Sequence, residues 1–353
     1  MRTHIRNTLA KLILRYSPAQ RHWRRHIGTY LPILEDALEN APAEQLLTLR
    51  IMDDLDSRRF ASAQKRLDKL RRFTHASANE ADKALYCVLM GDYHFRQGQA
   101  FEMAHYMRQA NRHGHHYHLP YLYLGIHDLY DRWVFDRASE ALDKAISCVY
   151  KYPPLDEDKR RGVAVMQALM SLCATMMHKP EEAERLLTLA APAEAAAEYH
   201  HASAALHAVA GHAVETEAAL TALCQANPRM HDHWCEGIRL MLAGTHPHFT
   251  AREPDMTHVR RYWEWFVREE ETLAGILTER GGRACVMYQQ EHFGKLYQEK
   301  VSIDMMGISY RLEDGKPTLT LAACHSRTCE VLIDALMATC PQQISSRWLL
   351  HRF

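Results

Sequence analysis

A triplet of small or apolar residues recurs five times along the chain, with its members at positions i, i+4 and i+7. This spacing places the three side chains on one face of an α-helix and predicts their burial against a neighbouring helix. Successive triplets begin 35 to 45 residues apart, which is typical of stacked helix pairs. The five are Ala63-Leu67-Leu70, Met103-Met107-Ala110, Ala138-Leu142-Ala145, Ala183-Leu187-Ala190 and Ala219-Leu223-Ala226.

A large residue followed by a small or polar one lies about twelve residues before each of the last four triplets. Such a pair predicts a first helix that packs closely against the helix carrying the triplet. The pairs are Met90-Gly91, Leu124-Gly125 (one residue out of register), Met170-Ser171 and Leu206-His207.

Together, the pairs and triplets resemble the tetratricopeptide repeat over about residues 45–245. The sequence departs from the consensus in three ways: the first-helix Trp is absent, Ser171 and His207 replace Gly, and every spacing is longer than usual. The resemblance implies an α-solenoid whose first helices line a concave groove.

Beyond the repeats, the periodicity changes. Helices are predicted at 257–279, at about 283–298 and at 327–339, and strands at 301–312, 318–323 and 347–353. A hairpin turn is predicted at 313–316, and a phase slip at Gly307 suggests a β-bulge with a crowded or positive-φ glycine. This order predicts a small α+β two-layer domain.

The C-terminal region also resembles modules of uncharacterised bacterial proteins, for which no reaction is established. They open with an aromatic helix, here containing Trp263, Trp265 and Phe266, and end in Pro and a Trp-containing strand, here Pro341 and Trp348. From helical spacing, we expect Trp263 and Phe266 to face the core and Trp265 to point elsewhere.

The chain is therefore predicted to be mainly α, with a tetratricopeptide-like α-solenoid followed by a small α+β two-layer domain. The predicted divisions are a basic N-terminal capping segment at 1–27, the helix-pair array at 28–245, a linker at 246–256 and the C-terminal domain at 257–353. The linker contains two prolines and no apolar period, which predicts an exposed backbone.

Charge limits the classes of partner. Basic and acidic residues number 43 each, so the composition does not indicate DNA binding. The first 34 residues, however, hold seven Arg or Lys and no acid. We interpret this segment as a cap on the first repeat; an arm that binds RNA or a membrane surface is the alternative.

The nine cysteines are scattered and form no Cys-x-x-Cys pair. This indicates reduced thiols and a cytoplasmic protein. No apolar run approaches the roughly 18 residues of a membrane-spanning helix, so none is predicted.

Histidine is abundant, with 24 residues, and the densest cluster comprises His113, His115, His116 and His118. Imidazole binds Zn, Cu or Ni, but no carboxylate or thiol lies at ligand spacing beside this cluster. We therefore predict no metal or other cofactor. The chain also lacks Gly-rich phosphate-binding loops and a Gly-x-Ser-x-Gly motif.

The sequence thus favours a scaffold or adaptor that binds a polypeptide partner through the concave repeat surface. Candidate contact residues on the first helices are Asp92, Arg96, His127 and Tyr130, which combine charge and aromatic surface. The alternative is an enzyme of unknown class, with its site in or beside the C-terminal domain.

Overall fold

The computed structural model describes residues 36–38, 41–114, 116–151, 157–194, 196–294 and 306–352. These residues form fifteen α-helices with a three-stranded sheet at the C-terminal end, which confirms the predicted fold class. The basic segment 1–27, His115 and positions 301–305 of the first predicted strand lie outside the described residues.

The helices and strands are numbered in chain order. The helices are α1 Pro42–Asp56, α2 Phe60–Ala76, α3 Glu80–Phe95, α4 Ala100–His113, α5 His118–Tyr130, α6 Phe135–Tyr150, α7 Glu157–Met176, α8 Pro180–Leu189, α9 Ala197–Val209, α10 Ala213–Ala226, α11 Pro228–Leu242, α12 Met256–Arg280, α13 Gly282–His292, α14 Arg327–Ala338 and α15 Gln342–Arg347. The strands are β1 Gly307–Glu313, β2 Lys316–Ala322 and β3 Leu349–Arg352.

The chain divides into two compact units. The first contains the described residues up to Thr175 together with Lys179–Ser203, and the second contains Met176–His178 and the described residues from Ala204 onwards. The domain boundaries expected from the sequence stay a prediction.

Each of the five triplet-bearing helices follows a turn of the same kind. The residue two positions before the helix has a left-handed backbone, with φ between 54° and 78°. In most of these turns, the residue that follows the left-handed one donates its backbone N–H to the carbonyl of the residue five positions before it. An example is the hydrogen bond from Gln99 to His94 (3.0 Å). The left-handed residues are Arg58, Gly98, Trp133, His178 and Gly211.

The third turn is one residue longer. The N–H of Val134 donates to the carbonyl of Asp128, six residues earlier, at 2.8 Å. This extra residue explains why Gly125 is one position out of register.

All residues of the first four triplets are buried, as predicted. The fifth prediction was wrong in register, because Ala226 is exposed and Ala219 is only half-buried. Counted from the turn at Gly211, the equivalent triplet is Thr216-Leu220-Leu223, and all three residues are buried. The small residue of the preceding helix is likewise Ala204, which is buried, and not His207.

The small first-helix residues allow the helices of a pair to approach closely. A Cβ placed on Gly91 would lie 2.5 Å from Met107 Cε, and one on Gly125 would lie 2.8 Å from Leu142 Cγ. Ser171 has a different contact: its hydroxyl donates to the carbonyl of Ala183 at 2.6 Å. The predicted contact between each pair and its triplet is therefore present in these three repeats.

In the second unit, β1 and β2 form an antiparallel hairpin and β3 pairs parallel to β2. Asp314 and Gly315 both have positive φ, as a two-residue primed turn requires. Gly307 begins β1 opposite Ala322, and its φ is not positive. A Cβ there would lie 3.3 Å from Ala322 Cβ, so the position is crowded.

Aromatic side chains form the core of this unit. Tyr262, Trp263 and Phe266 of α12 are buried with Tyr310 of β1 and Trp348. The expectation for Trp265 was wrong, since this side chain is also buried and contacts Tyr262, Phe266 and Phe293.

Part of the predicted linker is packed within the second unit. His246 and His248 are buried, and the backbone carbonyls of Pro247 and His248 accept hydrogen bonds from the N–H groups of Thr328 and Arg327. The expectation of an exposed backbone is therefore wrong for this stretch.

Candidate functional site

Aromatic and polar side chains of the first unit cluster around α5. Tyr123, His127 and Tyr130 follow the i, i+4, i+7 spacing and therefore share one face of this helix. Each contacts a different neighbouring helix, so this face joins several helices of the array.

The Tyr123 hydroxyl donates to Asp92 Oδ1 of α3 at 2.9 Å. Burial raises the pKa of Tyr123 well above its usual value, and the neighbouring Asp92 charge adds to this effect. Arg96 donates to both Asp92 oxygens, at 3.0 and 3.1 Å, and also lies 2.8 Å from Asp56 Oδ1. These residues link the ends of α1 and α3 to α5.

Two exposed phenylalanines flank the turn between α3 and α4. Phe95 is 42% exposed and lies edge-on to Tyr123 at 5.0 Å between ring centroids. Phe101 is 66% exposed and lies edge-on to His127 at 6.0 Å. Both rings are held against α5 while much of their surface remains open to solvent.

At the other end of this face, Tyr130 stacks on His201 of α9, with a 3.2 Å hydrogen bond between its hydroxyl and Nδ1 of that histidine. His127 Nδ1 lies 2.9 Å from Asp131. Burial and, to a lesser extent, the Glu198 charge raise the pKa of Tyr130 well above its usual value.

Of the four predicted contact residues, His127 and Tyr130 lie on this face of α5, whereas Asp92 and Arg96 lie at the end of α3, where Asp92 accepts hydrogen bonds from Tyr123 and Arg96. Asp92 and His127 are only 2% and 1% exposed, so they support the surface from below. Phe95 and Phe101, which are exposed, and Tyr123, which is half-buried, were not predicted from the sequence. We refer to Phe95, Arg96, Phe101, Tyr123 and Tyr130 as the aromatic surface.

The histidines near residue 115 interact with separate carboxylates. His113 Nδ1 lies 2.5 Å from Glu80, whereas His116 Nε2 lies 3.3 Å from Asp36. His118 is buried. Within the described ranges, no group of three or more His, Cys, Asp or Glu side chains is arranged to hold a metal ion.

The second unit has a largely apolar pocket of about 570 Å³ along α12. Its ionisable lining groups are Arg260 and Glu264. The full lining comprises Met256, Val259, Arg260, Trp263, Glu264, Val267, Thr339 and Pro341.

No known protein family matches the chain, and no curated protein or solved structure matches it. Among the helices that the structure describes, none combines the length and apolar character needed to cross a bilayer.

Proposed function

We propose that this chain is an adaptor that binds a polypeptide partner through the aromatic surface. The observation that carries this proposal is the pair Phe95 and Phe101, which remain exposed although their rings are fixed against α5. Rigid, exposed aromatic side chains are common energetic centres of protein interfaces.

The polar groups beneath this surface favour rigidity. Asp92 receives hydrogen bonds from Tyr123 and Arg96, so its buried charge is compensated. Because the surface is already ordered, binding costs less side-chain entropy than it would on a mobile loop.

The nearby charges favour a basic partner. Asp131 and Glu198 lie beside this face, whereas Asp56 and Asp92 are already paired with Arg96, the cation of the aromatic surface itself. A segment with bulky apolar side chains and Lys or Arg would satisfy both the aromatic and the acidic groups.

The resemblance to tetratricopeptide repeats supports this assignment, since the first helices of such arrays line a peptide-binding groove. We further propose that the protein acts in a reducing compartment such as the bacterial cytoplasm. Its nine free cysteines support this location.

Selection from a random 12-residue peptide library tests the proposal. Peptides that combine aromatic or aliphatic residues with Lys or Arg should be enriched, and the double variant Phe95→Ala/Phe101→Ala should bind them at least tenfold more weakly. Tyr150→Ala is the matched control, since this aromatic side chain on α6 is 54% exposed and lies outside the aromatic surface. Equal binding by wild type and double variant, or failure to enrich any peptide, would overturn the proposal.

A further inference from the structure

Three buried polar atoms on α12 have no hydrogen-bond partner among the described residues. They are Nε2 of His258, the hydroxyl of Tyr262 and Nε1 of Trp265. The spacing i, i+4, i+7 places these side chains on one face of the helix. Tyr262 is fully buried and Trp265 is only 4% exposed, so bulk water does not reach their polar atoms. Unpaired buried polar groups destabilise a fold, and three of them on one face indicate a missing partner.

One ring contacts all three of these side chains. The centroid of the Phe293 ring lies 5.3 Å from that of His258, 5.3 Å from that of Tyr262 and 5.4 Å from the Trp265 ring. A phenyl ring therefore fits among the three side chains, but it offers no oxygen or nitrogen to their polar atoms. Phe293 fills the space at this position and leaves its hydrogen-bonding capacity unused.

The neighbouring side chain of Tyr310 does not supply the missing partner. Tyr310 interacts electrostatically with Tyr262, but its hydroxyl donates to Oε1 of Gln289. The contact between the two tyrosines falls outside hydrogen-bond geometry. Since Tyr310 and Gln289 are both buried, turning the Tyr310 hydroxyl towards Tyr262 would break one buried hydrogen bond to form another.

Phe293 is held at the end of an element and is only half-buried. It directly follows α13, and the next residue, Gly294, has a φ of 89°, which glycine adopts without strain. The N–H groups of Phe293 and Gly294 both donate to the carbonyl of Gln289, at 2.9 and 3.1 Å. Movement of the Phe293 ring therefore requires no change within the regular part of a helix or strand.

A carboxylate has the hydrogen-bonding groups that these three side chains lack. The indole N–H only donates, and a phenol and an imidazole can also donate, so all three groups can bind an acceptor. A carboxylate has two acceptor oxygens and no donor, and its hydrogen bonds are stronger than those of neutral acceptors. An aromatic carboxylate would also replace the ring contacts of Phe293, so the exchange adds hydrogen bonds while aromatic packing is retained.

We propose that His258, Tyr262 and Trp265 form a binding site for a small aromatic carboxylate, and that Phe293 occupies this site until the ligand displaces it. The site shares no residue with the lining of the apolar pocket on α12. It is also independent of the proposed peptide binding, because no side chain of the aromatic surface takes part.

Calorimetric titration of the full chain with phenylacetate at pH 7.5 tests the site. Wild-type protein should bind phenylacetate, and Trp265→Phe, which keeps a ring but removes the donor, should bind it at least tenfold more weakly. Trp263→Phe is the matched control and should leave affinity unchanged. Trp263 is comparably buried on the same helix, but its Nε1 already donates to the carbonyl of Leu336 at 3.1 Å.

The variant Phe293→Ala distinguishes a displaced ring from a supporting one. Removal of a competing ring should tighten phenylacetate binding at least tenfold, whereas removal of a supporting ring would weaken it. Phenethylamine is the control ligand, since it has the same ring but an ammonium group that cannot accept a hydrogen bond from Trp265. Wild type and Phe293→Ala should both bind it at least tenfold more weakly than phenylacetate.

Four results would each overturn the proposal: no binding of phenylacetate by wild type, equal losses in the two tryptophan variants, weaker binding by Phe293→Ala, or equal affinity for the two ligands. Ordered water would then be the partner of the three polar atoms.

Discussion

Gly125 and Leu142 are packed so closely that a Cβ on the glycine would lie 2.8 Å from Leu142 Cγ and 3.3 Å from the Ala138 carbonyl oxygen. Gly91 has a softer neighbour, since the atom nearest to its added Cβ is the terminal methyl of Met107. The two glycines occupy corresponding places in successive helix pairs but differ in how far their surroundings can adjust.

We therefore expect Gly125→Ala to destabilise the first unit by about 1–2 kcal/mol, because overpacking outweighs the gain in helix propensity. Gly91→Ala should be closer to neutral, because the Met107 side chain can rotate away. Urea unfolding followed by circular dichroism measures both changes. A larger loss for Gly91→Ala than for Gly125→Ala would contradict this explanation.

The register of the fifth triplet gives a second prediction. Leu220→Ala should lower the free energy of unfolding by about 2–5 kcal/mol, because Leu220 is buried. Ala226→Gln should change it by no more than about 0.5 kcal/mol, because Ala226 is exposed. Thermal or urea unfolding of the two variants decides between the registers; the opposite ranking would restore the triplet predicted from sequence.

These cases show which parts of the fold local spacing can predict. The first four triplets that the spacing predicts are buried in the structure. In the fifth repeat, two overlapping triplets share Leu223, and only the left-handed turn at Gly211 identifies the buried one. Sequence spacing contains no direct information about that turn.

The candidate site was only partly predictable for a related reason. Helical spacing places Tyr130 and His127 on one face, but the depth of His127 depends on Phe101, which comes from another helix. Phe95 and Phe101 could equally have been core residues as judged from sequence. Their exposure depends on how three helices pack together.

Acid should weaken the second unit. Burial, together with the nearby charge of Arg252, lowers the pKa of His246 to about 4. Burial, together with the neighbouring His178, His246 and His325, lowers the pKa of His248 to about 3. Since an unfolded histidine titrates near 6.5, the unfolded state binds protons first and stability falls as the pH drops from about 6.5 towards 4.

At pH 5, each of these histidines should reduce stability by up to about 2 kcal/mol relative to pH 7.5. Urea unfolding monitored by tryptophan fluorescence at the two pH values measures the difference. Replacing His246 with Gln should shrink the pH dependence. If the variant loses as much stability in acid as wild type does, His246 is not responsible.

Glu270 connects the start of the last strand to α12. This buried carboxylate lies 3.0 Å from Arg347 Nη1 and accepts a hydrogen bond from Trp348 Nε1 at 3.3 Å. Glu270→Ala leaves the indole N–H without this acceptor and should cost about 2–3 kcal/mol. Glu270→Gln keeps an acceptor and should cost less, as calorimetric melting would show; equal losses would mean that the hydrogen bond to Trp348 contributes little.

The constant offset between each left-handed turn and its buried triplet has a consequence for changes in chain length. One residue inserted between Gly98 and Met103 would rotate the triplet of α4 by about 100° and move it away from the core. Length added between successive helix pairs leaves every offset intact, and the long interval between Trp133 and His178 shows that the array accommodates it. Insertions and deletions are therefore expected to accumulate between pairs rather than within them.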